Sequence, residues 1–268
     1  MTTRDEALSI RVDDHRIDGT LIVPDTRMPG VLFLHGWGGN QAQYGARARE
    51  IAALGCACLT VDLRGHARTE HAHATVTRED NLRDAIAAYD TLASEGAVDE
   101  ARIAVVGSSY GGYLATIITG LRPVKWLGLR APALYKDSDW TVAKLKLRQV
   151  QGLDTWRRTR FGPQDNRALL AASEYRGDVL LVESEHDTVI PHEVIGNYRG
   201  AFAHSRSLTY RMISGADHSL SDPACRQAYT TLLVNWITEM IAGDRLEEPA
   251  AQKRLQEAMK TQKAAKAG

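Results

Sequence analysis

An α/β architecture, with a mostly parallel central sheet flanked by helices on both faces, is what this sequence predicts, and three observations carry the prediction. Four short, nearly continuous apolar runs recur along the chain, at residues 31–34 (Val-Leu-Phe-Leu), 58–61, 103–106 and 179–182; strands covered on both faces have this composition. Between them lie segments with helical spacing of apolar residues, at 41–54, 79–94 and 110–121, and such alternation calls for βαβ units. Finally, 268 residues with 44% hydrophobic and 25% charged side chains describe an ordinary globular chain able to bury a core.

The elements follow in order. Residues 7–12 alternate apolar and polar, Asp13-Asp14 supplies a turn, and the alternation resumes over 16–23, which predicts an antiparallel hairpin ahead of the parallel strands. After the four apolar runs are placed, residues 125–129 read as the sixth strand, 208–213 as the last, and 223–241 as a long amphipathic helix. Residues 133–173 break the rhythm and read as a small cap inserted after the sixth strand; they include Trp140, Trp156 and the basic run Arg157-Arg158-Thr159-Arg160. The expected organisation is one domain over 1–243 and a polar tail over 244–268, helical or disordered, whose composition names no partner.

Composition also excludes function classes. Lys+Arg 33 against Asp+Glu 33 gives a formal net charge of +0, without the basic excess that a nucleic-acid partner requires. No apolar run is long enough for a membrane span. The first six residues are charged and lack the apolar stretch of a signal peptide, so a cytoplasmic location is expected. Of three cysteines, Cys56 and Cys58 lie two apart in an apolar run, and a buried reduced pair is favoured over a redox or metal role.

The chemistry concentrates at Gly107-Ser108-Ser109-Tyr110-Gly111, where a strand runs into a helix. Glycines at 107 and 111 allow a reversal too tight for side chains and hold Ser109 out at the strand's C-terminal end. Upstream, His35-Gly36-Trp37-Gly38-Gly39 leaves backbone N–H groups uncluttered. Two fixed donors at a developing oxyanion are worth roughly 3 kcal/mol apiece, and the amides of Trp37 and Tyr110 are the pair chosen. A serine needs a base, and the base needs a carboxylate. Asp187 lies in the loop after the 179–183 strand and His218 in the loop after the last strand, at the carboxyl ends where open α/β sheets carry their sites. The chain order Ser109, Asp187, His218 fits one sheet-borne triad.

Together these segments resemble the α/β-hydrolase family, from about residue 7 to residue 242. Asp62-Leu63-Arg64-Gly65-His66 is similar to that family's turn after the next strand. The finer likeness is to compact bacterial esterases and to dienelactone-hydrolase-like or serine-aminopeptidase-like members. Relatives often carry Gly and Ser where this chain has Ala67 and Thr69.

Rivals exist for each role. Ser108 would sit on the wrong side of the turn, Glu185 stands two residues from Asp187, and Asp217 reads as a turn former. His66, His71, His73 and Glu70 form a local cluster, but the stretch is polar and turn-like, and no metal is expected. Arg64 is read as tying loops together. Trp37, Tyr135 and Trp140 are candidates for lining a substrate pocket, although each cap aromatic could equally serve the cap's own core. The sequence therefore predicts a serine hydrolase that cleaves a small carboxylic ester through an acyl-enzyme, without a cofactor. The alternatives are a thioesterase or a small-peptide or aminoacyl hydrolase with the same residues, and a non-catalytic small-molecule-binding protein on the same fold. Its expected partner is a small-molecule ester-type substrate, with no nucleic acid, no membrane, and a homodimer left open.

Overall fold

The computed structural model describes residues 3–24 and 28–265. Its first two strands, β1 (Thr3–Val12) and β2 (His15–Pro24), pair antiparallel across a turn in which Asp13 takes φ +54°. Next come β3 (Met28–Leu34), helix α1 (Ala42–Ala53), β4 (Ala57–Val61), α2 (Arg78–Ser94), β5 (Val98–Ser108), α3 (Tyr110–Ile118) and β6 (Trp126–Arg130). Short helices α4 (Leu147–Gln151) and α5 (Leu153–Trp156) precede α6 (Arg167–Glu174), β7 (Asp178–Ser184), α7 (His192–Ala201), β8 (Ser207–Ile213) and α8 (Pro223–Ala265).

All eight strands form one sheet in the order β1-β2-β4-β3-β5-β6-β7-β8. β2 meets β4 antiparallel, and every later pairing is parallel. The period of two in each strand sorts its apolar residues onto two faces. Leu32, Leu59, Val105, Leu127 and Leu181 pack with α2, α3, α6 and α7 on one side. Val31, Phe33, Cys58, Val106 and Val182 pack with α1 and α8 on the other. The expected covering on both sides is what the continuous apolar runs reflect. Cys58 is fully buried, and burial pushes its thiol well above the ordinary value.

The expected insertion after β6 divides in two. Its first part leans on the loop between β4 and α2: the Lys144 amide donates to the Val76 carbonyl at 2.8 Å, and Arg78 Nη1 reaches the Lys136 carbonyl at 2.8 Å. Its last part, α6, buries Ala168, Leu169 and Ala172 in the core, so the helix belongs to the β6–β7 crossover rather than to a cap. The predicted 223–241 helix extends as α8 past Gly243, and Asp244 pairs with both Arg102 and Lys125. Residues 266–268 of the expected tail lie outside the described residues. Among the described residues no helix is long and apolar enough to cross a membrane.

Candidate active site

Every residue proposed to act sits at the C-terminal end of the parallel strands, and the turn from β5 to α3 explains how Ser109 gets there. Ser109 adopts φ +52°, ψ −115°, a strained conformation for a side-chain-bearing residue. Two glycines permit it. A Cβ on Gly107 would lie 2.4 Å from the Gly111 carbonyl oxygen, and one on Gly111 would lie 2.1 Å from that of Leu34. The Ser109 amide donates to the Arg130 carbonyl at 2.9 Å, and its own carbonyl accepts from Tyr113 and Ala133, which pins the turn from three directions.

His218 brings Ser109 and Asp187 together. Its Nδ1 lies 2.7 Å from Asp187 Oδ2, and its Nε2 lies 3.0 Å from Ser109 Oγ. An ionised carboxylate only accepts, so Nδ1 carries the proton and the Nε2 lone pair faces the serine hydroxyl. Asp187 is fixed through its other oxygen, which accepts from the Val189 and Ile190 amides at 2.8 and 2.7 Å. Burial raises the Asp187 carboxyl, but the His218 hydrogen bond and these two amides outweigh burial and hold it below the usual carboxylate value. The rivals are occupied elsewhere: Glu185 accepts from Ser214 Oγ and the Gly215 amide, and Asp217 accepts from the Ser221 amide and hydroxyl.

The loop carrying Trp37 is locked by histidines. His35 Nε2 accepts from the Leu63 amide at 3.0 Å, and His66 Nε2 accepts from the Gly38 amide at 3.0 Å, so each loop clamps the other. Burial, with the neighbouring His35, lowers His66 to about 4 and keeps it a neutral acceptor. His66 and His73 also hold the Trp37 ring, at centroid distances of 4.8 and 4.6 Å, and among the described residues no group of three or more His, Cys, Asp or Glu could hold a metal. The Trp37 amide makes no hydrogen bond among the described residues. The Tyr110 amide is the first of α3, where no carbonyl lies one turn back.

Two cavities flank this arrangement. The larger, about 460 Å³, is bounded by Trp37, Ser109, His218, Arg130 and Tyr229. The smaller, about 270 Å³, is bounded by Trp37, Ser109, Tyr135, Leu153 and Ile190. Trp37 and Tyr135 therefore face the site, whereas Trp140 lines neither cavity: it stacks on Tyr113, and the guanidinium groups of Arg78 and Arg167 each lie 4.8 Å from its ring centre. Arg64 ties its own loop to helix α2 rather than to another loop, through the buried Asp84 carboxylate at 2.6 Å.

Two participants, Arg130 and Lys144, escaped the sequence reading, and a third, Asp62, was placed in a turn without a role. Arg130 is buried beside the site and donates to the His218 carbonyl at 2.8 Å, steadying the base loop. Its place at the end of a buried parallel strand was a usable signal, since charges there border the site. Asp62 accepts from both the backbone and the side chain of Gln41, closing the Trp37 loop from behind. Lys144 reaches the smaller cavity from the insertion.

Comparison with known proteins agrees with this architecture. The structure superposes on a dienelactone hydrolase from Anabaena variabilis with TM-score 0.64 and 19% identity, over 89% of this chain and 99% of that one. It superposes on Est1E from Butyrivibrio proteoclasticus with TM-score 0.66 and 17% identity, over 88% and 98%. An acylaminoacyl peptidase from Pyrococcus horikoshii matches with TM-score 0.64 and 16% identity, over 88% of this chain and 41% of that one. No curated protein sequence matches. The model of the prolyl oligopeptidase family matches residues 42–244, a span that runs from α1 into α8 and contains Ser109, Asp187 and His218. The fold is therefore that of an α/β-hydrolase, and the chain belongs to the prolyl oligopeptidase family.

Proposed function

We propose that the protein is a serine hydrolase that cleaves small carboxylic esters through an acyl-enzyme. The supporting observation is the Asp187–His218–Ser109 relay, at 2.7 and 3.0 Å, opening onto two small cavities. Ser109 Oγ attacks the carbonyl carbon as its proton passes to His218 Nε2, and the charge that builds on the carbonyl oxygen is taken up by the Trp37 and Tyr110 amides. When the tetrahedral centre collapses, the alcohol leaves with the proton from Nε2. Water then attacks the acyl-enzyme by the same route and the acid departs. Asp187 steadies the imidazolium throughout. No step calls for a cofactor, and the proposal includes a small-molecule ester-type substrate and a cytoplasmic location.

The family match favours a second reading, hydrolysis of a small peptide or aminoacyl amide by the same residues. The modest cavity volumes favour a compact ester. Rates on matched short esters, thioesters and aminoacyl amides decide between them: esters should be turned over fastest. Ser109→Ala should lose more than about 10³-fold in kcat on its best substrate. A wild-type rate in that variant would overturn the proposal.

A further inference from the structure

Two buried cations border the smaller cavity beside Ser109. Lys144 is 8% exposed and Arg157 6%. The Lys144 ammonium lies 4.5, 5.0 and 4.7 Å from the ring centres of Trp37, Tyr110 and Tyr135, and the Arg157 guanidinium lies 5.0 Å from that of Tyr135. The Tyr135 ring is thus in contact with both cations. Arg157 spends Nε on the Leu134 carbonyl at 3.0 Å and points Nη1 toward the Val189 carbonyl at 3.4 Å. Among the described residues no carboxylate pairs with either cation, and Asp154, the one acidic side chain on this wall, is exposed at the rim.

A buried charge without a counter-ion is costly, and ring faces recover only part of that cost. The positive field is strong enough to act on a neighbour: burial pushes the Tyr135 hydroxyl up, yet the Lys144 and Arg157 charges outweigh it and bring it below the ordinary phenol value. The chain as a whole is neutral, so this field is local to the site. An anion entering the cavity would meet three donors and complete the charge balance.

We infer that Lys144, Arg157 and Tyr135 form a carboxylate-binding subsite, so that the substrate of Ser109 is a small ester carrying a free carboxylate. The inference rests on the proposed role of Ser109 as nucleophile. Monomethyl glutarate against its neutral analogue methyl glutaramate, and acetoxyacetate against acetoxyacetamide, place the carboxylate on the acyl and on the alcohol side, and alkali uptake in a pH-stat reads their hydrolysis. Wild-type kcat/KM should favour the anionic member of at least one pair by about 10-fold or more, and that ratio should collapse toward one in Lys144→Met while surviving in Lys144→Arg. Equal rates within both pairs, or an unchanged ratio in Lys144→Met, would overturn the subsite while leaving the esterase reading intact.

A binding measurement keeps the question separate from turnover. Calorimetric titration should show saturable binding of glutarate to the wild-type protein, none of glutaramide, and loss of glutarate binding in Lys144→Met. Absence of glutarate binding, or inorganic phosphate binding as tightly as glutarate, overturns the carboxylate assignment whether or not any ester is cleaved. Failure of every ester with glutarate binding intact would instead overturn the esterase reading.

Discussion

Acid should loosen the Trp37 loop through one side chain, His66. Folded, its imidazole accepts the Gly38 amide and is held at about 4, against 6.5 for an ordinary histidine. Protonation would turn that acceptor into a donor facing another N–H. The folded state therefore resists a proton that the unfolded chain takes up readily below pH 6.5. The unfolded chain binds more protons through this window, so the stability this group contributes is present above pH 6.5 and is lost as pH falls toward 4. A gap of about 2.5 at ~1.36 kcal/mol per pH unit amounts to about 3 kcal/mol, of which about 2.5 kcal/mol is lost by about pH 4.5. Urea unfolding at a series of pH values, in the wild type and in His66→Gln, isolates the effect, because His35 and the carboxylates titrate in both proteins. The wild type should lose about 2.5 kcal/mol more than the variant between about pH 7 and pH 4.5. Parallel stability profiles would refute the reasoning.

Other outcomes follow from the same geometry. Ala67 stands at φ +48°, in the left-handed region that favours glycine; Ala67→Gly should raise unfolding stability by about 0.5–1 kcal/mol, and a loss of stability in urea titration would contradict this. Asp187→Asn should lower kcat by about 10⁴, because an amide can hold the wrong imidazole tautomer, while Glu185→Gln should stay within about two-fold. Steady-state kinetics on the best ester checks both, and the reverse ranking would reassign the acid.

The parallel core was legible because strands buried on both faces leave unbroken apolar runs: residues 31–34, 58–61, 103–106 and 179–182 all lie within observed strands. The Ser109 turn was legible because its glycines are forced by contacts with Gly111 and Leu34 backbone atoms. Strand ends placed the two loops that carry Asp187 and His218, and the chain order with the family resemblance favoured these residues over Glu185 and Asp217. The insertion was not legible. Its helices α4 and α5 have five and four residues, too short to show a period or to form without tertiary support. That is why Trp140 was expected in the pocket and Lys144 was not. α6 was hidden for a related reason: its eight residues carry a core face, but they follow directly on the irregular stretch. Arg130 and Gln41 act through partners distant in sequence, His218 and Asp62, and such pairings leave no periodic trace.

The most direct test of the account is labelling by a fluorophosphonate probe, with the modified residue located by peptide mass spectrometry. Activation of one hydroxyl by the His218 imidazole predicts a single adduct on Ser109, slowed strongly in His218→Ala and absent in Ser109→Ala. A folded wild-type protein that never labels, or one that labels at another serine, would contradict it.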